Sequence, residues 1–138
     1  MMAGIRAKDT KPELVVRRGL HALGLRYRLH AKELPGKPDL VFRRNNAVVF
    51  INGCFWHGHD CPAFRWPKTR EKFWREKIQK NIAKDLANRI MLAEIGFRSL
   101  TIWECAIRRG NSATLGAVLE QCRDWVQHGS GDMTIGSE

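Results

Sequence analysis

Residues 54–61 read Cys54-Phe55-Trp56-His57-Gly58-His59-Asp60-Cys61 and place two thiols and two imidazoles within eight residues. Thiolate and imidazole are the ligands that zinc prefers, and a structural zinc site uses four of them with no position left open. A third cysteine, Cys105, lies further along the chain and is a candidate ligand, which would leave one imidazole for other work. The alternative is that the thiols are small buried groups and the histidines ordinary hydrogen-bonded residues. The density of ligands favours a metal site.

The length of 138 residues suits one domain with its own core, so the metal should reinforce the fold rather than create it. The remaining cysteine is Cys122, and the N-terminal segment lacks the apolar stretch of a secretory signal. The cysteines are therefore expected to be metal ligands and buried thiols rather than disulfides. No run of about eighteen apolar residues occurs, so we expect no membrane-spanning helix and place the protein in the cytoplasm or nucleoid.

The charge of the chain is strongly positive and unevenly distributed. Lys and Arg number 24 against 14 Asp and Glu, which gives a net charge of +10 and an isoelectric point near 10.0. Between Arg65 and Arg89 nine basic residues face three acidic ones. Such a basic stripe is typical of a nucleic-acid-binding domain, although a solvated helix face also carries runs of charge. The excess over the whole chain favours nucleic acid as the partner.

The hydrophobic pattern predicts an α/β domain. The sequence Thr10-Lys11-Pro12-Glu13 matches a capping box with proline in the first turn, and it should begin a helix that ends at Gly24. Two apolar β-branched runs separated by a turn at 43–46 predict a hairpin. The predicted strands comprise residues 27–30, 40–42, 47–52 and 97–103. A final helix should start after Ser112 and bury Cys122 in the core, which argues against Cys122 as a metal ligand.

A long helix is predicted over about residues 70–95, because apolar residues recur there at every fourth position. We expect these residues to form one buried face, with the basic stripe on the remaining faces. They are Trp74, Ile78, Ile82, Leu86 and Ile90. Residues 1–127 should then form a single domain, and residues 128–138, rich in Gly and Ser, a flexible C-terminal tail.

Asp39 stands between a tight turn at 34–38 and the first residue of a buried strand. A carboxylate is costly there unless it is hydrogen-bonded or holds a cation. The hairpin should bring Asp39 close to the residues around Ile51, near one end of the sheet. A magnesium ion at that place would take oxygen ligands and keep several waters. The alternative is that Asp39 only caps the turn.

Several motifs together resemble the very short patch repair (Vsr) endonucleases. They are the stretches 2–10, 34–39 and 53–61, the pairs Thr69-Arg70 and Phe73-Trp74, and the triplet Trp103-Glu104-Cys105. The resemblance implies an α/β fold of the restriction-endonuclease-like superfamily, with a small mixed β-sheet flanked by helices and a structural zinc site. It also implies a magnesium-dependent bacterial enzyme that nicks one DNA strand beside the thymine of a T·G mismatch, left by deamination of 5-methylcytosine.

The resemblance implies roles for the metal ligands and for one histidine. Zinc would be bound by Cys54, His59, Cys61 and Cys105. His57 would then be left as a catalytic histidine, and an ordinary imidazole pKa of about 6.5 suits proton transfer at neutral pH. Asp39 would hold magnesium with help from the backbone carbonyl of Ile51.

Two further positions are implied to lie in the active site. Glu13 falls where the family has an active-site acid, but it also fits the return partner of the Thr10 cap. A second active-site histidine of the family is Asn52 in this chain. Since Asn cannot exchange a proton at neutral pH, Asn52 could only orient water or phosphate.

Phe55 and Trp56, with Met2 from the N-terminal arm, fall where the family inserts apolar side chains into the DNA stack beside the mismatch. Such rigid wedges unstack a base step, and a mismatch lowers the energy that unstacking requires. The alternative for both rings is a place in the hydrophobic core, where aromatic side chains are usually found.

The leading hypothesis is therefore a mismatch-directed DNA-nicking repair enzyme. A second hypothesis keeps the nuclease but gives it matched DNA, as in restriction-type or homing-type endonucleases. A third is a zinc-stabilised DNA-binding module without catalysis, which Asn52 supports. We expect a monomer that acts on double-stranded DNA, without membrane contact, and with mismatch-repair proteins as candidate partners.

Overall fold

The computed structural model describes residues 10–62, 64–108 and 112–136, so the predicted wedge residue Met2 lies outside the described residues. A five-stranded sheet with its strands in chain order forms the centre of the fold. The strands are β1 (Arg28–Leu29), β2 (Leu40–Phe42), β3 (Ala47–Asn52), β4 (Arg98–Trp103) and β5 (Met133–Ile135). The first three are antiparallel neighbours, whereas β3 with β4 and β4 with β5 form parallel pairs. The predicted mixed α/β sheet is confirmed.

Helices flank the sheet in the part of the chain that the structure describes. They are α1 (Lys11–Ala22), α2 (Glu71–Glu94), α3 (Cys105–Arg108) and α4 (Ser112–His128). The Thr10 hydroxyl accepts a hydrogen bond from the Glu13 N–H at 3.4 Å, so the predicted cap begins α1. Parallel strands need a long crossover connection, and α2 provides it between β3 and β4. None of the described helices is long and apolar enough to cross a membrane.

Apolar side chains pack on both faces of the sheet, because successive residues of a strand point to opposite sides. One cluster joins α1 and the apolar face of α4 to alternate strand residues such as Val49 and Leu100. The other joins Val48 of β3 to Leu92 of α2. Cys122 is fully buried in the first cluster, as predicted, and burial raises the pKa of its thiol to about 12.

The predicted buried face of α2 is wrong over most of its length. The exposed positions are Ile82, Leu86 and Ile90, at 44%, 52% and 52%. A step of four residues turns about 400°, so a line through every fourth position drifts about 40° at each step. Leu92 lies about 40° from Ile78 around the helix axis and both are fully buried, whereas Ile90 lies about 120° from Ile78. The two buried positions are therefore fourteen residues apart, and Asp85 is the residue midway between them.

The predicted flexible tail is also wrong, because Met133–Ile135 forms β5 at the edge of the sheet. This strand pairs in parallel with β4, and Asp132 accepts a hydrogen bond from the Ser99 N–H at 2.8 Å. Ile135 is buried in the first hydrophobic cluster. The Gly- and Ser-rich residues that suggested mobility form the short connection between α4 and β5.

Candidate active site and metal centre

The structure brings the four predicted zinc ligands together. The ligand atoms of Cys54, His59, Cys61 and Cys105 all lie within 4.8 Å of one another, and Cys105 Sγ is 3.5 Å from His59 Nδ1. A tetrahedral zinc ion with bonds of about 2.0–2.3 Å holds its ligand atoms about 3.3–3.8 Å apart. Three thiols and one imidazole at these separations fit a closed zinc site after small side-chain shifts.

Sheet topology explains why Cys105 meets the loop at 53–61. The last residue of β3, Asn52, is paired with Trp103 at the end of its parallel neighbour β4. Both strands therefore end at the same end of the sheet. There β3 continues into the loop at 53–61 and β4 continues into α3. The Trp103 ring stacks on His59 with a centroid distance of 4.1 Å and an interplanar angle of 4°. Gly136, just after β5, approaches the same imidazole so closely that a Cβ would lie 3.1 Å from its Cε1.

The protonation of the cluster depends on its burial. Burial and the neighbouring thiols of Cys105 and Cys61 raise the pKa of the Cys54 thiol to about 12. Burial lowers the pKa of His59, which favours the neutral imidazole that binds metal ions. Crowded thiols cannot all ionise without a cation among them. Metal binding at this cluster would therefore release protons.

Gly58 allows the loop to pass beneath α2. Its φ of +60° is unfavourable for residues that carry a Cβ. A Cβ at this position would lie 2.6 Å from the Ile82 side chain and 2.8 Å from that of Ile78. The His59 N–H donates to the Cys54 carbonyl at 2.9 Å, which closes the loop between two of the ligands. The position therefore requires glycine on both conformational and steric grounds.

Gly58→Ala should lower the free energy of unfolding by about 2–5 kcal/mol, because left-handed strain contributes about 1–2 kcal/mol and overpacking about 1–3 kcal/mol. Gly96→Ala is the matched control, since Gly96 has φ of +95° but a Cβ there would meet no atom within 4 Å, so only the strain is introduced. Denaturant unfolding of both variants measures the difference. Equal losses would show that the contact with α2 is easily relieved.

A second group of potential ligands forms where α1, the end of β1 and the start of β2 meet. The ligand atoms of Glu13, His30 and Asp39 lie within 4.8 Å of one another, and His30 Nε2 is 2.5 Å from Glu13 Oε2. Asp39 Oδ2 accepts a hydrogen bond from the Ile51 N–H at 2.7 Å. The Asp39 carboxylate thus bonds across the hairpin, which disfavours the alternative of a turn cap. Sequence motifs indicated Glu13, Asp39 and Ile51, but His30 belongs to none of them.

The ionisation of Asp39 is shifted far from its ordinary range. Burial raises the pKa of its carboxyl to about 7. The hydrogen bond from Ile51 opposes this rise, the charge of Glu13 adds to it, and His30 and His57 oppose it. Among the described residues no Lys or Arg forms an ion pair with Asp39. A divalent cation would stabilise the ionised carboxylate at neutral pH, so these residues fit a site for such an ion.

His57 is outside the thiol and imidazole cluster and instead pairs with α2. Its Nδ1 lies 2.6 Å from Asp85 Oδ2, and both side chains are partly exposed, at 29% and 23%. The pair opens into a cleft of about 390 Å³. The cleft is also lined by Gly36, Lys37, Asn81, Lys84 and Asn88. Asp85 was not predicted from the sequence. Its place midway between Ile78 and Leu92 was the feature that could have indicated a polar residue on the packed face of α2.

Asn52 is nearly buried, with 8% of its surface exposed. It lines a cavity of about 10 Å³ between the sheet and α2, large enough for about one water molecule. Asp85 and Thr101 line the same cavity. The structure therefore places Asn52 on the side of the site that holds the partner of His57.

Phe55 and Trp56 belong to neither hydrophobic cluster of the described residues. They lie in an aromatic cluster of partly buried or exposed rings. Its members are Phe55, Trp56, Phe64, Trp66, Phe73 and Trp74. Trp74, which was predicted to be buried, is half-buried and its ring centroid lies 5.4 Å from that of Phe55 and 5.7 Å from that of Trp56. The guanidinium groups of Arg70 and Arg75 each lie 4.2 Å over a ring of this cluster.

Hydrolysis of a phosphodiester needs a cation to clamp the phosphate and a group to move a proton. One end of this sheet offers a carboxylate that could serve the first task and a carboxylate-paired imidazole that could serve the second. The chain is strongly basic and interleaves arginine with aromatic rings, which suits contact with the phosphates and bases of a nucleic acid. The fold and the site therefore fit the class of nucleases.

Comparison with known proteins identifies the family within that class. The family model described as DNA mismatch endonuclease Vsr matches residues 1–63. The type II nicking enzyme V.XorIIP of Xanthomonas oryzae pv. oryzae is 42% identical over 90% of this chain and 88% of that protein. The type II nicking enzyme V.NmeAIP of Neisseria meningitidis serogroup A is 45% identical over 78% and 77% of the two chains. DNA mismatch endonuclease Vsr of Escherichia coli is 40% identical over 91% and 80%. The chain belongs to the Vsr endonuclease family, as predicted.

Proposed function

We propose that the protein nicks one strand of double-stranded DNA next to the thymine of a T·G mismatch, with magnesium bound at Asp39. The observation that carries the proposal is the Asp39 carboxylate, whose pKa is raised to about 7 mainly by burial and which forms no ion pair with Lys or Arg among the described residues. It lies beside Glu13 and within electrostatic reach of His57. The names of the relatives, a mismatch endonuclease and nicking enzymes, support the substrate and the single-strand cut.

Asp39 and the main-chain carbonyl of Ile51 are the proposed magnesium ligands. The ion would clamp the charge of the pentacovalent phosphate and lower the pKa of the attacking water. The Ile51 N–H faces Asp39, and in an antiparallel ladder the N–H and C=O of one residue face the same neighbour. This geometry supports the participation of the carbonyl. Glu13, which is 1% exposed, supplies a second carboxylate at the same ion site.

His57 is the proposed group for proton transfer. The Asp85 carboxylate accepts a hydrogen bond from the Nδ1–H of His57, which leaves Nε2 as the nitrogen that takes a proton from water or returns it to the leaving oxygen. Lys37 and Lys84 line the same cleft and attract the phosphates on either side of the cut. Asn52 can hold a water in the adjoining cavity but cannot exchange protons.

The remaining parts of the proposal concern the environment of the enzyme. We infer that the thiol and imidazole cluster holds one structural zinc ion and that the protein acts as a monomer in the bacterial cytoplasm, on nucleoid DNA. Contact with mismatch-repair proteins stays a prediction. Closed four-ligand zinc sites are structural, since they leave no position for substrate.

A nicking assay tests the function. Zinc-loaded protein is incubated with magnesium and end-labelled duplexes that carry either a T·G mismatch or the matched T·A pair in one sequence context. We expect cutting of the thymine strand of the mismatched duplex alone. Equal cutting of both duplexes would favour a restriction-type or homing-type enzyme. Binding of both without any cut would favour the non-catalytic DNA-binding module.

Trp56→Ala should reduce the preference for mismatched over matched DNA by about tenfold or more, because loss of a stacked ring removes about 1–3 kcal/mol. The Trp56 ring is well placed as a wedge, since it lies outside the core. The side-chain amide of Asn81 donates to the Trp56 backbone carbonyl at 2.8 Å, which holds the backbone of this residue in place. Equilibrium binding to both duplexes measures the preference. Lys80→Ala is the control, because an exposed lysine on α2 should weaken binding to both duplexes equally. An unchanged preference in the Trp56 variant would remove this ring from recognition.

A further inference from the structure

His30 extends the proposed magnesium site with a group of different chemistry. The residue follows β1 with a left-handed φ of +48°, and its N–H donates to the Asp39 carbonyl at 3.0 Å. Its backbone is therefore tied to the residue that carries the central carboxylate. Its side chain is 18% exposed and lies against Glu13, whose side chain is 2% exposed. The imidazole thus lies directly beside both carboxylates.

A simple ion pair does not explain why His30 is placed here. Glu13 already has a permanent cation, since Arg17 Nη1 lies 3.1 Å from the same Oε2 that His30 contacts. Asp39 is the carboxylate with no Lys or Arg partner in the described ranges. All three ligand atoms lie within 4.8 Å of one another, a separation that one bound ion can span. The three groups therefore lie close enough together to share one ion.

We propose that His30 is a direct ligand of the ion at Asp39 and Glu13, and that it makes the site prefer manganese over magnesium. This inference rests on the proposed function, which puts the catalytic ion at Asp39. Oxygen ligands alone suit magnesium, which binds imidazole reluctantly, whereas later divalent metals accept imidazole nitrogen readily. Two carboxylates and one imidazole form a mixed oxygen and nitrogen ligand set, which suits the later divalent metals. Manganese retains enough affinity for oxygen ligands to use all three groups.

Metal binding measured without DNA tests the proposal. Zinc-loaded protein is titrated with manganese, followed by electron paramagnetic resonance, and magnesium is measured by competition. Wild type should bind manganese at least about tenfold more tightly than magnesium, and pulsed resonance should detect nitrogen coordinated to the bound manganese. His30→Gln keeps a polar side chain next to Glu13 and should lose the nitrogen signal, with the preference falling to about threefold or less.

Two control variants separate this inference from the function on which it depends. His57→Gln removes the other imidazole near the site and should keep the nitrogen signal. Asp39→Asn should lose tight binding of either ion. If manganese bound to wild type shows no coordinated nitrogen while Asp39→Asn still abolishes binding, the role of His30 is refuted and the ion site stands. If Asp39→Asn binds both ions like wild type, the ion site of the proposed function is refuted as well.

Discussion

Asp39→Asn should lower the rate of nicking by about 10³-fold, because a bound metal ion contributes several kcal/mol of charge stabilisation and each 1.4 kcal/mol or so changes the rate about tenfold. DNA affinity should stay within about threefold, since affinity depends mainly on Lys and Arg contacts with phosphates. Single-turnover nicking and equilibrium binding on the mismatched duplex measure the two quantities. Nicking within about tenfold of wild type would require the metal to be bound elsewhere.

His57→Ala is the companion change for the proton-transfer half of the site. Loss of general acid or base catalysis lowers rates by about 10²–10⁴-fold. Unlike the Asp39 change, it should leave metal binding at Asp39 intact. A variant that loses activity together with metal binding would show that His57 acts through the ion site instead.

The Asp39→Asn variant also tests how the ionisation of Asp39 affects the stability of the folded protein. The pKa of Asp39 in the folded protein, about 7, is above its ordinary value of 3.8. Between these two pH values the metal-free folded protein binds a proton that the unfolded chain does not. The contribution of Asp39 to the free energy of unfolding is therefore fully present below about pH 4 and is lost as the pH rises through about 7. Asp39→Asn should remove this loss and raise the stability at pH 8 by about 1–3 kcal/mol. Thermal unfolding of both proteins without added magnesium, at pH 5 and pH 8, measures the change.

Cys105→Ala should release the bound zinc and lower the melting temperature by more than about 10 °C. Structural zinc contributes on the order of 10 kcal/mol to small domains that depend on it, and even a third of that is a large fraction of the stability of a domain. The change also leaves Cys54, His59 and Cys61 crowded without a shared ion. Elemental analysis of protein purified without chelator, and thermal unfolding, measure both effects.

Cys122→Ala is the matched control for the zinc prediction, because it removes a thiol that is buried in the core and outside the cluster. It should keep a full equivalent of zinc and cost about 1–2 kcal/mol of packing. Wild-type protein without zinc would refute the metal site. Equal zinc loss in both variants would indicate general unfolding rather than the loss of a ligand.

Local chemistry in the sequence was enough to predict several elements of the fold. The cap at Thr10, the hairpin between β2 and β3, and the strand that precedes Cys105 all depend on side chains within a few residues of one another. The thiol and imidazole cluster was predictable for the same reason, since most of its members lie in one short loop. Only Cys105 is distant, and its residue type identified it.

The face of α2 was decided by tertiary packing. Hydrophobic spacing described a stripe, but the helix instead buries Ile78 and Leu92, with Asp85 partly buried midway between them. A polar residue at a packed position contradicts the usual pattern of an amphipathic helix, so apolar periodicity pointed away from it. In our proposal Asp85 has a functional role. It lines a cleft, and a cleft must carry polar groups where a core would carry apolar ones.

The sequence by itself determined the α/β class, the ligand types of the metal cluster and the membership of the Vsr endonuclease family, since each is encoded in short motifs. Tertiary structure alone decided that His30 joins Glu13 and Asp39, that Asp85 holds His57, and that residues 133–135 complete the sheet. These relations join residues that are remote along the chain. Their energies come from burial and pairing between separate elements, which the local sequence of either partner does not specify.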